Sequence, residues 1–195
     1  MRSREVPEGR NSRKARWLLL LDLDGTVWDC RDISSLSPPF ERIDQYTFRD
    51  SRGFSVRVYG DVVALMKWAR AHGAVVAALS WNVREIAVEA LDASGLLELM
   101  DYQAIEYHPR KDLMALKLFE ELKRRGLGHV LECIVYVDDS EAFLGQVSKA
   151  FDKVCAIRAW ADFKDLESLA ERVCTCLARC GFGCDGEKPR AYSAR

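Results

Sequence analysis

Residues 16–26 of this chain, Arg16-Trp-Leu-Leu-Leu-Leu-Asp22-Leu-Asp24-Gly-Thr26, determine its architecture. They form a continuous apolar run that stops at two carboxylates. Such a run is typical of a strand that is buried on both faces of a parallel sheet. A glycine after the second carboxylate allows the chain to turn sharply. The stretch therefore predicts a central strand with acidic side chains at its carboxyl end.

Segments of two different periods alternate along the rest of the chain. Apolar runs predict strands at 74–79, 102–105, 134–137 and 154–157, and helical periodicity predicts helices at 61–71, 83–94, 111–125, 142–150 and 163–179. Strict alternation predicts a β-hairpin over residues 46–59, after a loop at 29–39. Strands that alternate with helices imply right-handed βαβ units. The sequence thus predicts an α/β, Rossmann-like three-layer fold with a central, mostly parallel sheet.

Length and charge limit the class of protein. The 195 residues allow one domain with a sizeable core. Lys and Arg total 29 against 30 Asp and Glu, so the net charge of -1 argues against a global attraction to nucleic acid or to an anionic membrane. The chain lacks both an apolar run long enough to span a bilayer and a signal peptide. We expect a soluble, cytoplasmic protein, and its oligomeric state stays open.

The composition of the two ends suggests a division into three parts. Residues 1–15 are basic and contain proline and glycine, which predicts a disordered leader, with a nucleic-acid-binding arm as the alternative. Residues 16–180 form the predicted single domain, and residues 181–195 form a tail with cysteine and glycine. Asn and Gln are scarce while charged residues are abundant, a composition typical of a thermophile.

Four closely spaced cysteines precede the C-terminus: Cys174, Cys176, Cys180 and Cys184. In the cytosol of a mesophile they would be free thiols, but the cytosol of a hyperthermophile can hold disulfides. Their spacing is not that of paired zinc-binding motifs, although four thiolates could hold Zn²⁺. Free thiols, disulfides and a metal site all remain open alternatives.

The carboxyl ends of three predicted strands are polar. The first ends in Asp22 and Asp24, the second in Ser80-Trp-Asn82, and the third in Asp138 and Asp139. Ligands of open α/β sheets bind at this edge. Clustered carboxylates raise one another's pKa unless a cation neutralises them. Because oxygen ligands suit a hard divalent ion, the edge predicts a Mg²⁺ site.

The same residues can divide the work of phosphoryl transfer. Asp22 can attack phosphorus, and Asp24 can protonate the leaving oxygen. Ser80 and its amide neighbours can donate to phosphoryl oxygens, and Lys111, at a helix start, can supply positive charge. The structural alternatives are helix caps for the carboxylates, an ordinary strand-end serine and a surface lysine.

Four ordered motifs resemble those of the haloacid dehalogenase superfamily. They are the stretch 18–26, Leu79-Ser80, Lys111 and Val137-Asp138-Asp139, separated by intervals of 58, 31 and 28 residues. Further stretches resemble the magnesium-dependent phosphatase-1 family: Thr26-Val-Trp28, Pro38-Pro-Phe40, Arg49-Asp-Ser-Arg-Gly53, Val56-Arg-Val-Tyr59 and Tyr107-His-Pro-Arg-Lys111. The resemblance implies a Mg²⁺-dependent phosphatase that works through an aspartyl-phosphate.

The resemblance also implies individual roles. Asp22 would be both nucleophile and metal ligand, and Asp24 the acid/base, with its backbone carbonyl on the metal. Asp139 would be the direct ligand of the acidic pair, with Asp138 and Thr26 in support.

Two departures from the family concern the substrate pocket. Trp81 directly follows Ser80 and stands where the family commonly has Arg. We expect Ser80, Trp81 and Lys111 to bind the substrate phosphate, and for Trp81 packing is the alternative. Gly25 stands where the magnesium-dependent phosphatase-1 family carries an aromatic residue. Both changes bear on specificity more than on the chemical machinery.

The spacing between motifs leaves no room for a cap domain. The intervals after Asp29 and after Ser80 are already filled by predicted elements, so we expect a capless domain with a small β-hairpin flap. An open site admits a phosphotyrosine on a protein or a sugar phosphate. Two alternatives use the same residues: a phosphotransferase or phosphomutase, and a catalytically silent phosphate-binding module.

Overall fold

The central sheet has five strands, all parallel to their neighbours. The computed structural model describes residues 15–184. Its strands are β1 (Trp17–Leu21), β2 (Glu41–Arg42), β3 (Thr47–Arg49), β4 (Ser55–Arg57), β5 (Ala74–Trp81), β6 (Tyr102–Glu106), β7 (Ile134–Asp138) and β8 (Val154–Arg158). The central sheet has the order β6-β5-β1-β7-β8, with β1 in the middle and buried along its whole length. The predicted parallel sheet is confirmed.

Helices cover both faces of this sheet. They are α1 (Gly60–Ala71), α2 (Arg84–Ala93), α3 (Lys111–Arg124), α4 (Glu141–Ala150) and α5 (Leu166–Arg179). Side chains alternate across a strand, so Leu19 and Leu21 of β1 pack in the cluster that contains α1, α2 and α5. Leu18 and Leu20 pack in the cluster that contains α3 and α4. The three predicted layers are therefore present.

Between β1 and α1, the chain forms a small antiparallel sheet. Its order is β2-β3-β4, so the predicted hairpin gains a third strand, and the predicted loop contains a 3-10 turn at Ile33–Ser35. Strand β2 has only two residues, both exposed. Across its pairing with β3, Glu41 and Arg49 form an ion pair of 2.8 Å. A strand this short has no apolar alternation, which is why the sequence pattern did not indicate it.

Neither interval between the motifs holds a separate domain in residues 15–184. The first contains the 3-10 turn, the small sheet and α1, and the second contains α2, a 3-10 turn and β6 of the central sheet. The capless architecture agrees with the sequence prediction. None of the described helices combines the length and the apolarity that crossing a bilayer would require.

Three disulfides anchor α5. Cys180 bonds to Cys133 just before β7, Cys176 bonds to Cys155 in β8, and Cys174 bonds to Cys184. The structure thus adopts the disulfide alternative for all four clustered cysteines. Of the predicted end segments, residues 1–14 and 185–195 lie outside the described residues.

Candidate active site

The predicted site residues meet at the carboxyl edge of the central sheet. Side chains from the ends of β1, β5 and β7 and from the start of α3 surround a cleft of about 480 Å³. The cleft is lined by Asp22, Asp24, Arg31, Ser80, Trp81, Lys111, Asp139 and Phe143. The topology therefore brings together residues that are far apart along the chain.

Lys111 connects two of the carboxylates. Its side chain is 1% exposed, and its Nζ lies 2.6 Å from Asp22 Oδ1 and 2.6 Å from Asp138 Oδ2. The ammonium also lies 4.7 Å from the ring centroid of Phe143. Burial lowers the pKa of Lys111, but the two carboxylates outweigh burial and raise it. Lys111 is a fixed cation of the site, not a surface lysine.

One lysine does not neutralise the acidic cluster. Burial, assisted by Asp138 and opposed by Lys111, raises the pKa of Asp22 to about 7. Burial and Asp138 also raise the pKa of Asp139. Three carboxylates thus share one ammonium, and a second cation would stabilise their ionised forms.

The cluster fits a hard divalent cation. One carboxylate oxygen from each of Asp22, Asp138 and Asp139 lies within 4.8 Å of the others. All three donors are oxygens, which suits Mg²⁺. This excess negative charge in a partly buried pocket is what a resident cation would offset.

The two members of the acidic pair differ in their surroundings. Asp138 Oδ2 accepts hydrogen bonds from Lys111 and from the hydroxyl of Tyr136, and Oδ1 accepts one from the Ser140 amide at 2.8 Å. Among residues 15–184, no other residue donates a hydrogen bond to the carboxylate of Asp139, whose backbone amide donates to Thr26 Oγ1 at 3.0 Å. Asp138 is therefore occupied with structural bonds, whereas the Asp139 carboxylate is available.

Gly25 makes room for the Asp139 carboxylate. Its φ of +66° lies in the left-handed region, and a Cβ at this position would lie 2.5 Å from Asp139 Oδ2. The Trp160 indole also donates to the Gly25 carbonyl at 2.8 Å. A side chain at this position would therefore have to displace the Asp139 carboxylate.

Asp24 is held by neutral donors instead of a cation. Trp28 Nε1 donates to Oδ1 at 2.7 Å, the Ile33 amide lies 3.3 Å from both oxygens, and Asn82 Nδ2 donates to Oδ2 at 3.0 Å. Trp28 packs against Phe48 of the small sheet, which places that sheet beside the site. Burial raises the pKa of Asp24, and the three donors partly offset this rise. The two aspartates of the first motif therefore have different environments, as separate chemical roles require.

The rim of the cleft is aromatic and open. Trp81 is 44% exposed and meets Phe143 edge to face, with ring centroids 6.3 Å apart. Ser80 lies deeper, 1% exposed, and its Oγ accepts a hydrogen bond from Asn82 at 2.9 Å. Trp81 thus packs at the mouth of the cleft and is also accessible to a substrate.

No role was predicted for four residues of this site. Tyr136 and Asn82 are buried polar partners of the acidic residues, and Arg31 and Phe143 line the cleft. The sequence already placed Asn82 at the polar end of a predicted strand, but its partners there were not predictable. The other three lie within an apolar run, a loop and a helix, where no local pattern distinguishes them.

Known proteins with similar sequences include a magnesium-dependent phosphatase. Residues 16–125 match the family model described as acid phosphatase. Magnesium-dependent phosphatase 1 of Homo sapiens is 32% identical over 134 residues, which cover 68% of this chain and 72% of that protein. These matches confirm the predicted family resemblance.

A solved structure has a similar fold. The N-terminal part of a Bacteroides fragilis protein, which contains a phosphatase domain in complex with Mg, superposes with a TM-score of 0.54 at 16% identity. The match covers 84% of this chain and 40% of that chain, so the chain spans less than half of the length of that structure. The likeness supports the fold described above.

Proposed function

Since the chain belongs to the acid phosphatase family and is a Mg²⁺-dependent phosphatase, we propose that it hydrolyses phosphomonoesters through an aspartyl-phosphate on Asp22. The observation that carries the proposal is the contrast within the first motif. Asp22 is bonded to the Lys111 ammonium, and Asp24, two residues later, is bonded only to neutral donors. One carboxylate is thereby suited to attack and the other to proton transfer.

In the first step, a carboxylate oxygen of Asp22 attacks the phosphorus of the substrate. The bond between phosphorus and the leaving oxygen breaks, and Asp24 gives its proton to that oxygen. The raised pKa of Asp24, which follows from its burial, favours a protonated form that can act as the acid. The products of this step are the alcohol and an aspartyl-phosphate.

In the second step, Asp24 acts as the base. Its carboxylate takes a proton from a water molecule, and the water oxygen attacks phosphorus. The bond between phosphorus and the Asp22 oxygen breaks, which releases inorganic phosphate and restores both aspartates. The same residue thus serves both half-reactions.

The other polar residues bind the phosphoryl group. The Ser80 hydroxyl lines the cleft and can donate to a phosphoryl oxygen. Lys111 keeps positive charge beside Asp22, where negative charge develops during transfer. Trp81, at the rim, would contact the substrate beyond its phosphate.

Asp22, the backbone carbonyl of Asp24 and Asp139 would hold the Mg²⁺. When bound, Mg²⁺ supplies a positive charge that offsets the phosphoryl oxygens and the clustered carboxylates. The bonded state of Asp138 and the availability of Asp139 support this choice of ligand. Thr26 supports it by accepting a hydrogen bond from the Asp139 amide.

The open cleft suits a phosphate on a bulky carrier, either a phosphotyrosine in a protein or a sugar phosphate. Its exposed Trp81 and the absence of a cap domain among residues 15–184 support this class. An open site excludes water poorly, which favours hydrolysis over transfer to a second substrate.

Trapping the covalent intermediate tests the proposal. In Asp24→Asn, substrate that carries a good leaving group should still phosphorylate Asp22, but hydrolysis of the aspartyl-phosphate should be slow. We expect radiolabelled phosphate from para-nitrophenyl phosphate to remain on the protein after rapid quench and to map to Asp22. Label on another residue, or no label at wild-type turnover, would contradict the proposal.

A further inference from the structure

Asn82 lies between the two parts of the proposed machinery. Its side chain is 1% exposed and follows the end of β5. The amide nitrogen Nδ2 donates to Asp24 Oδ2 at 3.0 Å and to Ser80 Oγ at 2.9 Å. A single side-chain group therefore bridges the acid/base and the phosphate-binding hydroxyl.

The orientation of this amide follows from its neighbours. The carboxylate of Asp24 accepts hydrogen bonds, so the nitrogen of Asn82 must face it when Asp24 is ionised. On the other side, the Val83 amide donates to Ser34 Oγ at 2.8 Å, and the Ser34 hydroxyl donates to Asn82 Oδ1 at 2.7 Å. The oxygen of the amide thus has a donor and the nitrogen has two acceptors.

The bridge has a consequence for the proton of Ser80. Because Ser80 Oγ accepts from Asn82, its own proton is left to donate to another group. Ser80 lines the cleft, so a phosphoryl oxygen there can accept this proton. Asn82 thereby orients the hydroxyl as a donor toward the substrate.

The bridge also restricts Asp24. Donors on both oxygens, Trp28 on Oδ1 and Asn82 on Oδ2, hold the plane of the carboxyl group. The Ile33 amide lies 3.3 Å from both oxygens, so it is a long, shared donor that a proton in transit can displace. The direction in which Asp24 presents that proton is thus fixed relative to the Ser80 hydroxyl.

We infer that Asn82 is a positioning residue that fixes the side chains of Asp24 and Ser80 relative to each other. Ser80 can then bind the phosphate in the same arrangement in which Asp24 protonates the leaving group. The inference rests on the proposed function. It adds a residue to that function that touches neither substrate nor metal. Ser34, from the 3-10 turn at Ile33–Ser35, fixes Asn82 in turn.

The leaving group provides a readout that a merely structural role would not move. Values of kcat/KM should be measured for aryl phosphates whose leaving phenols span a range of pKa. In Asn82→Ala, we expect a loss of about 10- to 100-fold for phenyl phosphate, in the range typical of residues that orient catalytic groups. The loss should be much smaller for para-nitrophenyl phosphate, which needs little protonation. The dependence on leaving-group pKa should therefore become steeper, as in Asp24→Asn.

Inorganic phosphate tests the second half of the inference. A misdirected Ser80 hydroxyl costs one hydrogen bond, so the inhibition constant of phosphate should rise about 2- to 10-fold in Asn82→Ala. In a Ser80→Ala background, the same substitution should leave phosphate binding unchanged while it still steepens the leaving-group dependence. Additive losses of phosphate affinity in the double variant would contradict the bridge.

Two further variants complete the test, one as a matched control and one as a milder change to the surroundings of Asn82. Gln103→Ala removes an amide from β6, outside the lining of the cleft, and should change neither readout. Ser34→Ala keeps the two hydrogen bonds that Asn82 Nδ2 donates but removes the one that Asn82 Oδ1 accepts. It should shift both readouts in the same direction as Asn82→Ala, by a smaller factor. It also keeps the test decisive if Asn82→Ala fails to fold.

The outcomes separate the inference from the proposed function. Suppose that Asp24→Asn steepens the dependence of kcat/KM on leaving-group pKa, while Asn82→Ala shows the same dependence as the wild type. The inference is then wrong and the proposed function stands. If Asp24→Asn itself leaves the dependence unchanged, the acid/base role proposed for Asp24 is wrong.

Discussion

The carboxyl edge of the central sheet and the face covered by α5 are held together by different kinds of bond. At the edge, side chains from β1, β5, β7 and α3 meet through hydrogen bonds and ion pairs around a polar cleft. Under α5, apolar side chains pack on the sheet, and three disulfides fix the helix. Non-covalent contacts therefore position the side chains of the cleft, whereas covalent bonds secure α5 on the other part of the fold.

Strand β7 belongs to both regions. Cys133, which is disulfide-bonded to Cys180, directly precedes its first residue, and Asp138 is its last. The hydrogen-bonded ladder with β1 and β8 fixes the strand between these two ends. We therefore expect changes at the edge and changes at α5 to have separable effects.

The largest expected effect is on turnover. Asp24→Asn keeps the shape and the backbone carbonyl but removes proton transfer, so turnover of a substrate with a poor leaving group should fall about 10²- to 10⁴-fold. The melting temperature should fall only modestly, because the new amide can accept from one of the two donors, Trp28 or Asn82, while its NH2 group faces the other. Steady-state kinetics beside calorimetry checks both parts. A large fall in melting temperature would show that the edge and the scaffold are not separable.

Loss of a disulfide should lower the stability of the protein and leave its turnover unchanged. The double variant Cys133→Ser and Cys180→Ser removes a disulfide between residues that are 47 positions apart. From the loop entropy, we expect its free energy of unfolding to fall by about 4 kcal/mol. For Cys174→Ser with Cys184→Ser, with a separation of 10 residues, the same account gives about 3 kcal/mol. Turnover at a temperature well below melting should stay at the wild-type level in both. Denaturant unfolding and kinetics under the same conditions measure the difference.

Two glycine substitutions distinguish a steric contact with the Asp139 carboxylate from backbone strain. Gly25→Ala places a Cβ against Asp139 Oδ2, so Mg²⁺ affinity in isothermal titration should fall by about 10-fold or more. Gly53→Ala is the matched control, since it also has a positive φ of +90° but no atom within 4 Å of its Cβ. We expect it to cost about 1 kcal/mol of stability and no Mg²⁺ affinity. Equal losses of affinity in both variants would attribute the effect to backbone strain alone.

The smallest expected effect is at the rim. Arg31 is exposed, lines the cleft, and makes no hydrogen bond or ion pair with any residue between 15 and 184. Arg31→Ala should raise KM for an anionic substrate about 2- to 5-fold, with kcat unchanged, as the loss of an exposed charge predicts. Arg57→Ala, on the small sheet outside the lining, should leave KM unchanged. Measurement at two salt concentrations shows whether the difference is electrostatic.

The long, strongly patterned elements were predictable from the sequence. The apolar run of β1 and the helical period of α3 each determine an element by local chemistry, and their ends lie within a few residues of the predicted ones. The polar strand ends could be placed together because parallel strands share a carboxyl edge. Asp22, Ser80 and Asp139 were therefore expected to meet, and they do.

What escaped prediction depends on contacts between distant segments. Strand β2 exists through pairing with β3, and Tyr136 matters because it faces Asp138, although it lies in an apolar run. The bond from Cys133 to Cys180 joins residues 47 apart, and no spacing rule selects it from seven cysteines. Such features arise only when tertiary structure has brought their members together.

The central position of β1 has a consequence during protein synthesis. Its two neighbours in the sheet, β5 and β7, are both made after it, and β7 is made long after β5. Until β7 emerges, β1 is an edge strand whose apolar residues and unpaired backbone can join another nascent chain. Truncated products that end before residue 134 should therefore aggregate, and chaperone demand should be highest while residues 82–133 are being translated.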